Sequence, residues 1–176
     1  MTAHVLETKR LILRRLTVDD DAFIFELLND PAWLRFIGDK GVRTREDARD
    51  YIRKGPLAMY ERVGFGLFLT ERKGDGTPIG LCGLIKRDTL EDVDLGFAFL
   101  PAFRKQGFAY ESASATLAYG KSAFGLKRIV AIASPDNARS TLLLEKLGMK
   151  FLKAVKLAED DDDVNLYALD VDAGLT

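Results

Sequence analysis

The chain has 176 residues, 47% of them hydrophobic and 30% charged, which suits one compact domain with a sizeable core. Its Lys+Arg 26 against Asp+Glu 27 give a formal net charge of -1, which argues against a dedicated nucleic-acid binder with a strongly basic face. A lone cysteine, Cys82, rules out an intrachain disulfide, and with a lone histidine, His4, it leaves no His/Cys zinc site; no metal is expected. No run approaches the roughly 18 apolar residues of a membrane span. Lys9, Arg10, Arg14 and Arg15 interrupt the opening segment, so the expectation is a cytoplasmic protein without a membrane partner.

In chain order, residues 10–16 alternate as a first strand, and residues 20–29 place Phe23 and Leu27 on one helix face, with Asp30-Pro31 ending that helix. Residues 31–43 read as a loop carrying Trp33, Phe36, Gly38 and Gly41. Thr44-Arg45-Glu46-Asp47 is a capped helix start, and Gly55-Pro56 interrupts the helix before a second piece ends near Arg62. The period then changes to two. Strands at 65–71 and 79–86 flank the turn Gly74-Asp75-Gly76, and a third strand at 93–100 ends at Pro101.

A helix at 108–124 stopped by Gly125, a strand at 128–133, and a helix at 137–147 stopped by Gly148 form a strand-helix-strand crossover. Strands at 151–157 and 164–169 close the chain around an acidic hairpin tip at 159–163. This order predicts a mixed α/β (α+β) fold, with a mostly antiparallel central sheet of six to seven strands and about four helices.

The segment Arg104-Lys105-Gln106-Gly107-Phe108-Ala109 joins a strand end to a helix start. The first N–H groups of a helix have no partner within it, and with the helix dipole they suit a phosphate. Gly107 offers no Cβ to obstruct a ligand, while Arg104 and Lys105 add positive charge. The plainer reading is a solvated turn with two cations. The segment matches neither the triphosphate P-loop nor the dinucleotide fingerprint.

These six residues resemble the [QR]-x-x-G-x-[GA] acetyl-coenzyme A motif of the GNAT superfamily of N-acetyltransferases. Asn137-Ala138-Arg139-Ser140, followed by Glu145-Lys146-Leu147-Gly148-Met149, resembles a segment of the RimJ/RimL-like branch, as does Thr8-Lys9-Arg10-Leu11-Ile12-Leu13-Arg14. The likeness spans residues 7–170, and the whole chain, 1–176, reads as one GNAT-type domain.

The resemblance implies acetyl transfer from acetyl-CoA to a primary amine, a protein N-terminus or a small molecule, by direct attack. It implies strands 94–100 and 128–133 splayed apart, with the pantetheine arm pairing to backbone near Phe97, Phe99 and Leu100 and with Asn137 touching that arm. The loop from Arg104 through Lys105, Gln106, Gly107 and Phe108 to Ala109 would hold the diphosphate. Asp94 is a candidate base, and Glu111, in the first helical turn, is a second. Ser140 is a candidate donor to the coenzyme sulfur, because Leu144 stands where many members of the family carry a tyrosine acid. Trp33 and Phe36 would wall the acceptor pocket.

Transfer of a longer acyl group such as succinyl, a CoA-binding regulatory protein without catalysis, and an unrelated nucleotide-binding domain are the competing readings. A monomer and a homodimer are equally compatible with the sequence.

Overall fold

The computed structural model describes residues 4–171. One sheet runs in the order β1-β2-β3-β4-β5-β6-β8-β7. Its strands are β1 (His4–Glu7), β2 (Leu11–Arg14), β3 (Leu67–Arg72), β4 (Pro78–Ile85), β5 (Asp94–Phe99), β6 (Arg128–Ala133), β7 (Lys150–Val155) and β8 (Val164–Asp170). The helices are α1 (Asp21–Leu28), α2 (Pro31–Phe36), α3 (Arg45–Ile52), α4 (Ala58–Val63), α5 (Phe108–Phe124) and α6 (Ala138–Lys146). The expected mixed, mostly antiparallel fold is present. Its sheet is one or two strands wider than the expected six to seven, because residues 4–7 add β1 at one edge.

Strand alternation divides the core in two. Leu11, Leu13, Phe68, Cys82, Leu84, Leu95 and Phe99 turn to the face that α5 and α6 cover, where they meet Phe108, Leu117 and Leu144. Leu69, Leu81 and Ala98 turn to the other face and pack with Ile24, Leu27, Ala48 and Ile52 of α1 and α3. Gly83 is needed for close approach, since a side chain there would run into the backbone of Gly66 and Leu67 at the start of the neighbouring strand.

Two sequence expectations change in physical detail. Asp30-Pro31 does end α1, yet it also opens α2 within the expected loop: the Asp30 carboxylate accepts from the Ala32 N–H, and Pro31 takes the first helical position, where its missing N–H costs nothing. Gly55-Pro56 does not break the helix after Ile52. The chain passes through a five-residue π turn, Arg53–Leu57, and continues as α4, so α3 and α4 make one continuous helical segment.

The feature that positions the site is the crossover. β5 and β6 run parallel but share a single register pair, Asp94 with Val130, anchored by the Val130 N–H to Val93 carbonyl bond of 2.9 Å. Every other neighbouring pair in the sheet is antiparallel and paired over several residues. Beyond Asp94 the two strands part.

Candidate active site

The opening between β5 and β6 exposes a row of backbone groups. The Leu100 N–H donates to the Ile79 carbonyl, so alternate residues Ala98, Gly96 and Asp94 spend their backbone groups on β4. Those of Leu95, Phe97 and Phe99 therefore point toward β6. From Asp94 to Phe99 this edge runs about 17 Å at 3.3 Å per residue. Leu100 departs from expectation: its N–H bonds Ile79 and its carbonyl accepts from Phe103, which leaves no backbone group for a ligand. The Phe99 carbonyl is likewise taken, by Arg104 Nε at 3.0 Å.

Past the open end, Pro101–Phe103 makes a short 3-10 turn and the loop reaches α5. Helices α2, α3 and α6 each begin with a side-chain cap, from Asp30, Thr44 and Asn137. Helix α5 begins at Gly107 with φ of 83° and no side-chain cap. Its first-turn N–H groups therefore meet the solvent at an exposed glycine, with the dipole of a 17-residue helix behind them. Lys105 also has positive φ, 62°, and it is exposed.

Arg104 does not serve this cradle as expected. Besides Phe99, it binds Asp30 at 2.6 Å and so ties the end of β5 to the start of α2. Gln106 returns its side chain to the Ala102 carbonyl at 2.9 Å. Phe108 is buried in the core and Ala109 packs against it, which leaves their backbone nitrogens as what the loop can offer.

Asp94 begins β5 where the strands separate, with 1% of its surface exposed. Burial pushes its carboxyl up to about 6, against the opposing pull of the nearby Arg87 guanidinium. Arg87 Nε stands 3.3 Å from Oδ1 and 3.4 Å from Oδ2, but hydrogen-bonds only Oδ2; Oδ1 is buried without a hydrogen-bond partner. A carboxylate with an unfilled lone pair and a raised pKa suits proton abstraction near neutral pH.

Glu111 is built differently. Its Oε2 accepts from Thr8 Oγ1 at 2.5 Å and from the Arg10 N–H at 2.9 Å, and its Oε1 accepts from Arg10 Nε at 2.7 Å. Burial works to raise its pKa, but these bonds from Thr8 and Arg10 outweigh it and hold the carboxyl below its ordinary value. A saturated, weakly basic carboxylate is a poor proton acceptor, so the geometry disfavours Glu111 as a base.

On the β6 side, the Asn137 side chain caps α6 by accepting from the Ser140 N–H at 3.2 Å. The Ser140 hydroxyl is half-buried and makes no hydrogen bond with the described residues, so it does not bond back to the helix. One turn on, Leu144 is buried in the core. Across the open end, Ser134 Oγ donates to the Phe36 carbonyl at 3.2 Å and seats the end of α2 beside the turn that follows β6.

Phe36 is half-buried there, under the Arg35 guanidinium at 4.7 Å. Trp33 does not wall a pocket. It is 5% exposed and packs into the core among α1 and α3, with its Nε1 buried and unpaired. Cys82 is fully buried, and burial pushes its thiol up to about 11 despite its Thr116 contact, so it is no nucleophile.

Sequence reasoning missed Arg87 and Asp30 as parts of this region. Arg87 could be noticed only once β4 and β5 were paired, and the Arg104–Asp30 link spans 74 residues of sequence.

The comparisons define the class as acetyltransferase, an acyl-CoA-dependent enzyme. The chain belongs to the GNAT family: residues 10–150 match the model described as "Acetyltransferase (GNAT) domain". Among relatives, the uncharacterized N-acetyltransferase YoaA of Bacillus subtilis is 32% identical over 148 residues, covering 83% of this chain and 82% of the relative. The uncharacterized N-acetyltransferase YnaD of the same organism is 29% identical, covering 93% and 95%.

Among solved structures, a GNAT-family acetyltransferase from Bacillus anthracis superposes with a TM-score of 0.79 at 26% identity, covering 98% of this chain and 99% of that one. RimL, a ribosomal L7/L12 alpha-N-protein acetyltransferase solved with coenzyme A, shares the fold with a TM-score of 0.82 at 20% identity, over 97% of this chain and 99% of its own.

Proposed function

We propose that the protein transfers an acetyl group from acetyl-CoA to a primary amine by direct attack. The observation that carries this reading is the parallel pair β5–β6, joined at Asp94 and Val130 alone and opening toward the uncapped start of α5. An extended thioester arm fits between such strands, with the Phe97 backbone as its ladder partner and the amides at Gln106–Ala109 receiving the diphosphate. Acetyl-CoA supplies the activated acyl group.

The chain's own residues supply the rest. Asp94 takes the proton of the incoming ammonium through its unpaired Oδ1. The Phe97 N–H, fixed in the strand, donates to the oxygen that gains charge as nitrogen attacks the acyl carbon. The unengaged hydroxyl of Ser140 hydrogen-bonds the departing sulfur and relays to it the second proton that the attacking nitrogen loses, so that the serine ends as it began, a role Leu144 cannot fill. Asn137 lies at the arm's entrance, and Phe36 borders the acceptor side. Membership of the RimJ/RimL-like branch is supported by the fold likeness to RimL, and a protein N-terminus or a small-molecule amine satisfies this chemistry equally. Among the described residues no helix is long and apolar enough to cross a membrane.

The test is thiol release from acetyl-CoA with a panel of amines, with mass detection of the acetylated product. Acceptor-dependent release with an added acetyl mass supports the reading. Tight CoA binding without release above background favours a regulatory CoA binder, and faster turnover of succinyl-CoA moves the acyl assignment.

A further inference from the structure

The turn between β1 and β2 is locked onto the start of α5 through one side chain. Arg10 Nε binds Glu111 Oε1 at 2.7 Å, and its Nη1 donates to the Gln106 carbonyl at 3.0 Å. Its guanidinium lies over the Phe108 ring, 4.3 Å from the centroid. Its Nη2 makes no hydrogen bond with the described residues and stands 3.2 Å from where a Cβ on Gly107 would be. Glu111 is fixed in turn by Thr8 Oγ1 and by the Arg10 N–H.

One planar cation thus touches Gln106 and Phe108 and fills the space into which a side chain at Gly107, between them, would point. Such an arrangement is costly to keep if the loop is a mere turn. Lys105 and Gly107 hold positive φ, and no side chain caps the helix. The Glu111 carboxylate is satisfied by Arg10 Nε, the Arg10 N–H and Thr8 Oγ1, not by Nη2.

We propose that Arg10 is a positioning residue for coenzyme binding: it holds the Gln106–Phe108 backbone in its ligand-ready shape and presents Nη2 as a cationic donor above Gly107, toward the diphosphate. Glu111 is its anchor. This rests on the acetyl-CoA reading above, and it gives Glu111 a use that proton transfer does not. A guanidinium is required because three of its nitrogens face three different partners, which an ammonium on a flexible stem cannot reproduce.

The experiment compares Arg10→Ala, Arg10→Lys and Glu111→Gln with the wild type in the full chain. It measures calorimetric CoA affinity, kinetics with acetyl-CoA and with S-acetylpantetheine (which lacks the diphosphate), and Tm for folding. The expected result for Arg10→Ala is a CoA Kd weakened about tenfold or more, as for loss of a charge-assisted hydrogen bond. The KM for acetyl-CoA rises by a similar factor, kcat at saturation stays within twofold, and kcat/KM with S-acetylpantetheine is unchanged. Arg10→Lys stays within threefold of Arg10→Ala, and Glu111→Gln moves the same way by a smaller factor.

An unchanged CoA Kd in folded Arg10→Ala overturns the proposal. So does an equal loss with both thioesters, which marks a structural role, and so does full rescue by lysine. If wild type binds CoA but transfers no acetyl group, the catalytic reading fails while the calorimetric arm still decides the role of Arg10.

Discussion

Arg87 Nε stands 3.3 Å from Asp94 Oδ1 without hydrogen-bonding it, so the carboxylate at the fork of β5 and β6 is neutralised in part and satisfied in part. A fully forked pair would hold Asp94 ionised and inert, whereas an isolated buried carboxyl would stay protonated at neutral pH. The loose contact leaves a carboxyl near 6, able to accept a proton and release it.

Replacing this group separates catalysis from stability. Asp94→Asn should lower kcat by about 10²-fold or more, the usual scale for a lost base. Because the folded pKa lies above the ordinary value of 3.8, the stability this group adds is complete below that value and is lost as pH rises through about 6. Burying the charge above that range costs about 3 kcal/mol by linkage. Urea unfolding at pH 8 should therefore find Asp94→Asn at least as stable as wild type. A variant both inactive and markedly less stable would mean that Asp94 serves the fold.

The pH profile offers a second check on the same group. The kcat/KM should fall on the acid side with an apparent pKa near 6. Since the Arg87 cation favours the ionised form, Arg87→Gln should move this limb to higher pH. A limb that stays in place, or moves to lower pH, contradicts the assignment.

Ser140→Ala should reduce kcat by about tenfold to a hundredfold while CoA affinity stays within twofold, as expected of a group that acts on the leaving thiolate. Thioesters with more acidic leaving thiols should suffer less from the substitution. A uniform loss across leaving groups would return the hydroxyl to a packing role.

The Arg104–Asp30 pair is expected to be structural. Arg104→Ala should cost about 1–2 kcal/mol of unfolding free energy, and Asp30→Ala about 2–3 kcal/mol, because Asp30 also caps α2. A double-mutant cycle by urea unfolding should show positive coupling between them, and strict additivity would deny the link.

Much of the fold could be read from periodicity and punctuation. The bounds 108–124 and 128–133 are legible because Gly125 stops α5 and the apolar run of β6 is short and flanked by polar residues. What could not be read were effects of distant partners. Asp30-Pro31 looks like a stop from one side and is also a start from the other; only the Ala32 N–H bond reveals the second use. β1 is a four-residue edge strand whose pairing with β2 is displaced by a bulge, too little signal for a pattern.

At the site, the phosphate loop was legible as a glycine between a strand and a helix. Arg104 and Lys105 looked alike there, yet one points to Asp30 and the other to solvent. Trp33 and Phe36 looked like an aromatic pair, but three residues along a short helix put Trp33 in the core and left Phe36 at the rim. Glu111 reads in the sequence as a candidate base, and its saturating partners Thr8 and Arg10 lie about a hundred residues away.

The most direct measurement is a crystal structure of the full chain with coenzyme A. Diphosphate oxygens should lie within hydrogen-bond distance of the Gly107, Phe108 and Ala109 backbone nitrogens, with a pantetheine amide paired with the Phe97 backbone between β5 and β6. Coenzyme bound elsewhere, or β5 and β6 zipped together beyond Asp94 and Val130 in that crystal, would contradict this placement.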